Sequence, residues 1–281
     1  MARKPSAGLS GAGSRGAIRV VLPLEDREVS QELERALIRR GIRVMTKACF
    51  QPTAVRTTDH DVCLMVGPEG KPQEQIRAER LLVAKGRAGN VEDIGLETTE
   101  VEVDRGVVKV DHQMRTAEPH VYAIGDVCGG LQLAHVAARE RFVAVVNIAG
   151  ANPPEVIDYD HQPRATFTRP QVASIGLTEQ QCEERGIAAT KGNFPFVADT
   201  KAVIVGETEG FAEVIADAKT DEILGIHFIG PSVTDVIAEG AVAMTLEATA
   251  SEVAASTHPH PTLVEALGEA AMAVDGRQIN A

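Results

Sequence analysis

The chain has 281 residues, a net charge of −12, 44% hydrophobic residues and 24% charged residues. This length predicts about two domains, and the composition is typical of a folded globular protein rather than of a disordered or fibrous one. The acidic charge and an aromatic content of 3%, with no tryptophan, argue against a nucleic-acid partner, because such partners need basic surfaces and stacking rings.

The sequence predicts neither a membrane span nor a secretory signal. No uncharged apolar run approaches the roughly 18 to 20 residues that cross a bilayer, and residues 1–18 are small and basic without an apolar segment behind them. The four cysteines form no C-x-x-C or other close pair: Cys49, Cys63, Cys128 and Cys182. We therefore expect a cytoplasmic protein with free thiols and a flexible leader over 1–18.

The leader contains a pattern that imitates a nucleotide-binding loop. Gly11, Gly13 and Gly16 spell G-x-G-x-x-G. A dinucleotide-binding loop follows a strand and opens a helix, whereas no strand pattern precedes these glycines and residues 17–22 are β-like. The sequence favours a flexible leader here, with a nucleotide loop as the alternative.

The first regular elements follow the leader. Three apolar residues recur at helical spacing: Val29, Leu33 and Leu37. Acids precede them and Gly41 follows, which predicts a helix over 24–40 and then a strand over 42–46. Because a helix, a tight turn and a strand form half of a β-α-β unit, this part is predicted to belong to an open α/β sheet. Residues 80–84 predict another buried strand.

A candidate ligand site lies in the middle of the chain. Residues 120–124 predict an apolar strand that stops at Gly125 and Asp126. The helix predicted after it, from about 131 to 150, carries an apolar stripe: Ala134, Ala137, Phe142, Val145 and Ile148. Open α/β sheets hold ligands where a carboxylate at a strand end lies beside a glycine-rich turn and a helix N-terminus. A plain turn explains the same local pattern equally well.

The second half of the chain has a different pattern. Thr178 and Gln181 predict a capping box for a short helix that ends at Gly186. Three strands joined by polar turns predict an antiparallel meander, followed by one helix: 202–205, 211–216, 223–229 and 233–246. Strands gathered before helices indicate an α+β domain.

Residues 257–265, T-H-P-H-P-T-L-V-E, are the strongest chemical candidate. The prolines fix the backbone around His260, and Glu265 can either cap a helix at Thr262 or orient one ring nitrogen of His260 so that the other moves a proton. Its two oxygens allow both roles. The local pattern alone favours a stiff loop over catalysis. A metal site at His258 and His260 is not expected, since no third and fourth ligands follow at recognisable spacing.

From about residue 19 to its end, the chain resembles the C-terminal part of the flavin-dependent pyridine nucleotide-disulphide oxidoreductases, in their dihydrolipoyl dehydrogenase branch. Seven segments carry the resemblance in the same order: LPLEDREVSQELERALIRRGIRV, AERLLVAKGRAGNVEDIGLE, TAEPHVYAIGDV, LQLAHVAARE, ATFTRPQVASIGLTE, GETEGFAEVIADAKTDEILGIHFIGP and HPHPTLVEALGEAA. The resemblance implies a partial FAD/NAD(P)-binding Rossmann-like α/β domain followed by an α+β dimerisation domain. The implied parts are a leader, a remnant of the NAD-binding domain, an FAD-binding central segment and the dimerisation domain, over 1–18, 19–93, 94–151 and 158–281.

The resemblance also implies site residues for the two cofactors, FAD and NAD. Asp126 matches the carboxylate that hydrogen-bonds the ribityl chain of FAD. Gly86 matches the glycine near the nicotinamide cofactor. A stretch that contacts the flavin through its backbone is matched by four residues: Gln132, Leu133, Ala134 and His135.

For catalysis, the resemblance implies that His260 is the proton-transferring histidine and Glu265 the glutamate that orients it. In this family the pair reaches into the active site of the partner subunit, so the resemblance implies a homodimer. Components of a 2-oxoacid dehydrogenase complex are further partners that the branch implies.

The departures from the family pattern separate the functional hypotheses. The matching stretches lack three motifs of the family: the FAD-binding G-x-G-x-x-G, the redox-active C-x-x-x-x-C and the NAD-binding glycine-rich turn. Three single residues also differ: Lys85 stands in place of an apolar residue, Gly89 in place of a proline and Gln171 in place of a glutamate. The complete family enzyme oxidises dihydrolipoamide through FAD and reduces NAD, whereas this chain alone is expected to be inactive. The alternatives are a non-catalytic dimerisation module and a chain complemented by a separate one.

Overall fold

The computed structural model describes residues 7–9, 20–50, 55–68, 71–84 and 86–280. The chain forms two compact units, one of residues 1–86 with 165–281 and the other of residues 87–164. The G-x-G-x-x-G pattern of the leader lies outside the described residues, while the strand β1 (Ala7–Leu9) lies within the leader. Along the described ranges, no helix combines the length and the apolar character that crossing a membrane requires.

In the first unit, the predicted helix and the predicted strand after it are both confirmed. Helix α1 (Arg27–Arg39) starts at Asp26, whose carboxylate accepts a hydrogen bond of 2.8 Å from the backbone N–H of Glu28. Strand β2 (Arg43–Met45) follows and pairs in parallel with β1. The helix buries Val29 and Leu33, which form a small core cluster with two residues of the later sheet, Val172 and Ile229.

A small antiparallel sheet follows in the same unit. Its strands are β3 (Ala48–Phe50), β4 (Arg56–Thr57), β5 (Val62–Pro68) and β6 (Glu74–Ala78), and β5 pairs with all the others. The prediction of a buried strand over 80–84 is wrong, because these residues form no strand and Leu82 is 87% exposed. An apolar run forms a buried strand only where other elements pair with it and cover it.

The second unit contains the predicted central helix. Its elements are the hairpin of β7 (Val103–Asp104) and β8 (Val107–Val108), a 3-10 turn over Gly125–Cys128, and helix α2 (Ala134–Ile148). The predicted strand over 120–124 is reduced to one bridge between Arg115 and Tyr122, so that prediction is wrong.

Helix α2 is confirmed, but the prediction of its buried face is wrong. Phe142, Val145 and Ile148 are exposed. The opposite face is buried and consists of Val136, Glu140, Val143 and Ala144. Because apolar residues occur all around this helix, their spacing does not select one face, and packing against residues such as Met114 and Ile157 decides it.

The largest sheet of the first unit has the strand order β11-β12-β13-β10-β9. Its strands are β9 (Arg164–Thr166), β10 (Gln171–Gly176), β11 (Ala189–Pro195), β12 (Phe211–Asp217) and β13 (Ile223–Gly230), and β10 to β13 pair antiparallel. The predicted meander is therefore confirmed at β12 and β13. The third predicted strand, 202–205, is wrong and lies in helix α4 (Thr200–Val205).

The helices of this part pack around the sheet. They are α3 (Glu179–Arg185), with its predicted capping box at Thr178 and Gln181, α5 (Val233–Thr245), α6 (Ala250–Ala255) and α7 (Glu265–Ala273). Gly192 on β11 lets α7 lie directly on the sheet, because a Cβ there would stand 2.1 Å from the carbonyl oxygen of Ala270. This close packing fixes the helix that carries Glu265.

Candidate functional site

His260 and Glu265 form a hydrogen-bonded pair at the N-terminus of α7. Nδ1 of His260 lies 2.9 Å from Oε1 of Glu265, and Oε2 of the same carboxylate accepts a 2.7 Å hydrogen bond from the backbone N–H of Thr262. One oxygen of Glu265 therefore faces the His260 ring while the other binds the Thr262 backbone. The predicted capping box is only half formed, because the Thr262 hydroxyl donates to the carbonyl of Pro259 and the helix begins at Glu265 instead.

The protonation of the pair follows from its contacts. Burial acts to raise the pKa of Glu265, but hydrogen bonds from the Thr262 backbone and from His260 outweigh it and hold the pKa below its usual value. An ionised carboxylate only accepts hydrogen bonds, so Nδ1 of His260 carries the hydrogen and Nε2 has the lone pair when the ring is neutral. The His260 side chain is 63% exposed. The pair therefore presents a proton acceptor at the surface.

A second carboxylate near the pair was not predicted from the sequence. Asp199 is buried, and its carboxylate caps α4 by accepting a 2.7 Å hydrogen bond from the N–H of Ala202. Burial raises the pKa of Asp199, and the charge of Glu265 adds to this effect while that of His260 opposes it. The sequence signal that could have found it is the aspartate three residues before Ala202, a helix-capping spacing.

The neighbouring histidine has its own carboxylate. Nε2 of His258 lies 2.7 Å from Oε1 of Glu239 on α5, and the ring is 9% exposed. Among the described residues, no group of three or more histidine, cysteine or acidic side chains is arranged to hold a metal ion.

In the second unit, the residues expected at the flavin surround the turn at Asp126. Nη1 of Arg87 lies 2.9 Å from Oδ2 of Asp126, and Nη2 of Arg87 donates a 2.7 Å hydrogen bond to the carbonyl of Gln132. Arg87 thus joins two residues that the resemblance identified separately. Gly86, the residue expected near the nicotinamide cofactor, lies in the other unit, has φ +129° and has open space at its Cβ position.

Glu140 on α2 forms a hydrogen bond to this turn, and its role was not predicted from the sequence. Its buried carboxylate accepts a 2.6 Å hydrogen bond from the N–H of Gly125 and a 2.8 Å hydrogen bond from the hydroxyl of Tyr159. Burial, aided by the charge of Glu140, raises the pKa of the Cys128 thiol to about 12. This thiol is therefore not an activated nucleophile.

The N-terminus of α2 follows this turn in the chain and forms the other part of the candidate flavin site. Its N-cap, Leu133, offers no side-chain hydrogen bond, so the first N–H groups of the helix carry no side-chain cap. The His135 ring instead lies 2.6 Å, through Nε2, from the carbonyl of Pro163. A half-exposed carboxylate at Asp126 beside uncapped helix N–H groups suits a ligand with hydroxyl donors and a carbonyl acceptor. These residues fit the ribityl chain and ring carbonyl of a flavin.

Comparison with known protein families identifies the family of this chain. Residues 17–140 match the family described as pyridine nucleotide-disulphide oxidoreductase, and residues 162–271 match the dimerisation domain of the same family. The chain belongs to the pyridine nucleotide-disulphide oxidoreductases. The predicted architecture of a partial Rossmann-like domain followed by an α+β dimerisation domain is thereby confirmed.

Curated relatives from this oxidoreductase family are similar over nearly the whole chain. Dihydrolipoyl dehydrogenase of Bacillus subtilis is 45% identical over 260 residues, which cover 92% of this chain and 54% of that protein. Dihydrolipoyl dehydrogenase of Zymomonas mobilis is 40% identical, with coverages of 92% and 55%. The chain spans about half the length of the curated relatives it matches.

Two solved structures are similar in fold. LpdA of Mycobacterium tuberculosis is similar with a TM-score of 0.80 and 26% identity, over 89% of this chain and 53% of that chain. The HOCl-induced flavoprotein disulfide reductase RclA of Escherichia coli has a TM-score of 0.78 at 23% identity, over 90% of this chain and 57% of that chain. The second likeness concerns the fold alone.

Proposed function

We propose that this chain supplies the proton-transfer pair and one side of the flavin site of a dihydrolipoyl dehydrogenase-type oxidoreductase. In that reaction dihydrolipoamide is oxidised with FAD and NAD as cofactors. The observation that carries the proposal is the hydrogen bond of 2.9 Å between His260 and Glu265, with Nε2 of an exposed ring left as the base. The similarity to dihydrolipoyl dehydrogenases supports the choice of substrate class.

In the proposed mechanism, Nε2 of His260 accepts a proton from a thiol of dihydrolipoamide, which generates the thiolate. The imidazolium that results keeps its Nδ1–H on Glu265, whose negative charge stabilises the new positive charge. The carboxylate stays ionised because the Thr262 N–H also binds it. The same ring can return the proton when the direction of the reaction reverses.

FAD, when bound, supplies the electron transfer between the thiols and NAD. Asp126 would hold the ribityl chain, and the backbone at Gln132, Leu133, Ala134 and His135 would face the flavin. Arg87 occupies one oxygen of the Asp126 carboxylate and leaves the other for a hydroxyl. Gly86 remains the proposed contact to the nicotinamide cofactor.

A second candidate function is a dimerisation module without redox activity. The match of residues 162–271 to the dimerisation domain supports a homodimer, and α4 exposes three consecutive apolar side chains: Val203, Ile204 and Val205. Partners from a 2-oxoacid dehydrogenase complex, or a separate chain that completes the enzyme, belong to the first proposal. The free cysteines support a cytoplasmic location under either proposal.

Co-expression tests the choice between the two functions. The chain is co-expressed with the part of Bacillus subtilis dihydrolipoyl dehydrogenase that precedes its region of similarity to this chain, and the complex is separated by size. The enzyme proposal predicts a yellow complex whose flavin absorption falls at least threefold in Asp126→Ala and not in Asp104→Ala, an exposed control in the same unit. A complex without flavin would leave only the dimerisation module.

A further inference from the structure

Two histidines two residues apart are held in opposite tautomers. His258 uses Nε2 on Glu239, whereas His260 uses Nδ1 on Glu265. Because a carboxylate accepts hydrogen bonds, the nitrogen that faces it carries the hydrogen in each ring. The same loop therefore carries His258 as the Nε2–H tautomer and His260 as the Nδ1–H tautomer. A glutamate of α5 fixes the first, and a glutamate of α7 fixes the second.

The ring of His258 is clamped between α5 and α7. On one side it is held by Glu239 of α5 at 2.7 Å, and on the other it lies against Gly268 of α7. A Cβ at Gly268 would stand 3.0 Å from both Cε1 and Nδ1 of His258. Gly268 and Glu265 are three residues apart on α7, so the same helix face contacts both histidines.

The exposure of the two rings indicates which one serves as an anchor. His258 is 9% exposed and His260 63% exposed. The loop that carries both histidines has an internal hydrogen bond of 2.7 Å, which the Thr262 hydroxyl donates to the carbonyl of Pro259. Among the described residues, the one side-chain hydrogen bond of the His260 ring is to Glu265, so the orientation of the ring depends on where the loop places it.

We propose that Glu239 and His258 are positioning residues that hold the loop so that Nδ1 of His260 stays on Glu265 and Nε2 remains the basic nitrogen. The inference rests on the proposed role of His260 in proton transfer, but the tautomer of the ring can be measured without any turnover. If the clamp is lost, the loop shifts relative to α7, the hydrogen bond to Glu265 breaks, and Nε2 becomes free to carry the hydrogen.

The test is nitrogen NMR of the full chain labelled with ¹⁵N-histidine, at a pH where the rings are neutral. In the wild-type chain we expect His260 as the Nδ1–H tautomer and His258 as the Nε2–H tautomer. Glu239→Ala is expected to lower the Nδ1–H fraction of His260 at least twofold, toward the value in Glu265→Ala. Glu239→Gln should keep the wild-type tautomer, because the amide oxygen still accepts from His258. Glu247→Ala, an exposed carboxylate just beyond α5, is the matched control.

Gly268→Ala gives a second variant in case Glu239→Ala does not fold. Alanine favours a helix more than glycine, yet its methyl group must displace the His258 ring. We expect the same loss of the His260 tautomer in this variant. A lower melting temperature in Glu239→Ala with an unchanged His260 tautomer would reduce the clamp to a structural contact and overturn the inference. If the tautomer responds but the co-expressed complex binds no flavin, the proposed function fails and the clamp stands.

Discussion

Glu213 is the residue whose acidity the fold changes most clearly. It is fully buried on β12, and neither of its oxygens has a hydrogen-bond partner among the described residues. The amino group of Lys191 lies 3.7 Å away but donates its hydrogen bonds to Glu28 and Glu179, at 2.8 and 2.9 Å. Burial, aided by nearby negative charge, raises the pKa of Glu213 to about 8. The side chain is therefore mostly protonated at neutral pH.

This raised pKa predicts how the stability of the chain depends on pH. Above the usual glutamate pKa the unfolded chain loses this proton while the folded chain keeps it, so folding stability falls as the pH rises toward about 8 and then levels off. We expect Glu213→Gln to stabilise the chain at pH 8 by on the order of a few kcal/mol and to flatten this slope. Urea unfolding at pH 5 and pH 8 measures it, with the exposed Glu222→Gln as control. Equal pH slopes in Glu213→Gln and in the wild type would refute the assignment.

At the same scale, part of the candidate site could be predicted and part could not. His260, Glu265 and Asp126 stand in recognisable motifs, and the structure gives the first two their expected hydrogen bond. Arg87 and Glu140 were missed because their partners are distant in sequence and become neighbours only on folding. The signal that the sequence offered at Glu140 is its helical spacing, four residues after Val136 and three before Val143, which places an acid on an apolar face.

Among the elements, α4 shows where local patterns fail. Its apolar, β-branched residues predict a strand, yet the carboxylate of Asp199 caps the segment and Gly206 ends it with φ +74°. The capping residues outweigh β-propensity, which depends strongly on context. The confirmed helices α1 and α3 each have a clear N-cap, and α1 also has a clear helical period.

The packing of α7 on β11 gives a prediction at the same scale. A methyl group at Gly192 would overlap the backbone of α7 at Ala270 and Val274, so Gly192→Ala must push the helix away from the sheet. We expect a loss of about 1 to 3 kcal/mol in unfolding free energy, as for other overpacked cores. Ala189→Val, at the exposed end of the same strand, is the control for chemical denaturation. Unchanged stability in Gly192→Ala would show that α7 does not lie this close.

At the scale of the whole molecule, the family and the order of its domains could be predicted from seven motifs in sequence. The buried face of α2 could not, because Phe142, Val145 and Ile148 suit a core as well as the residues that are buried. Which apolar surfaces become buried depends on what the rest of the chain and its partners cover.

A homodimer is the prediction for the molecule in solution. Residues 162–271 match the family's dimerisation domain, and exposed apolar residues on α4 and α5, such as Ile204 and Val242, suit a covered surface. One chain has a mass of 29.9 kDa, and light scattering across a range of concentrations should give twice that mass. A monomer at all concentrations would argue against this assembly.

The role of His260 is the central claim, and turnover tests it most directly. In the complex co-expressed with the first part of the Bacillus subtilis relative, we would measure lipoamide-dependent turnover of NADH for the wild type, His260→Gln and the exposed control His60→Gln. The account predicts that His260→Gln lowers kcat by about 10²- to 10⁴-fold, the usual contribution of a positioned acid–base group, while His60→Gln leaves it unchanged. Equal turnover in wild type and His260→Gln would contradict the account.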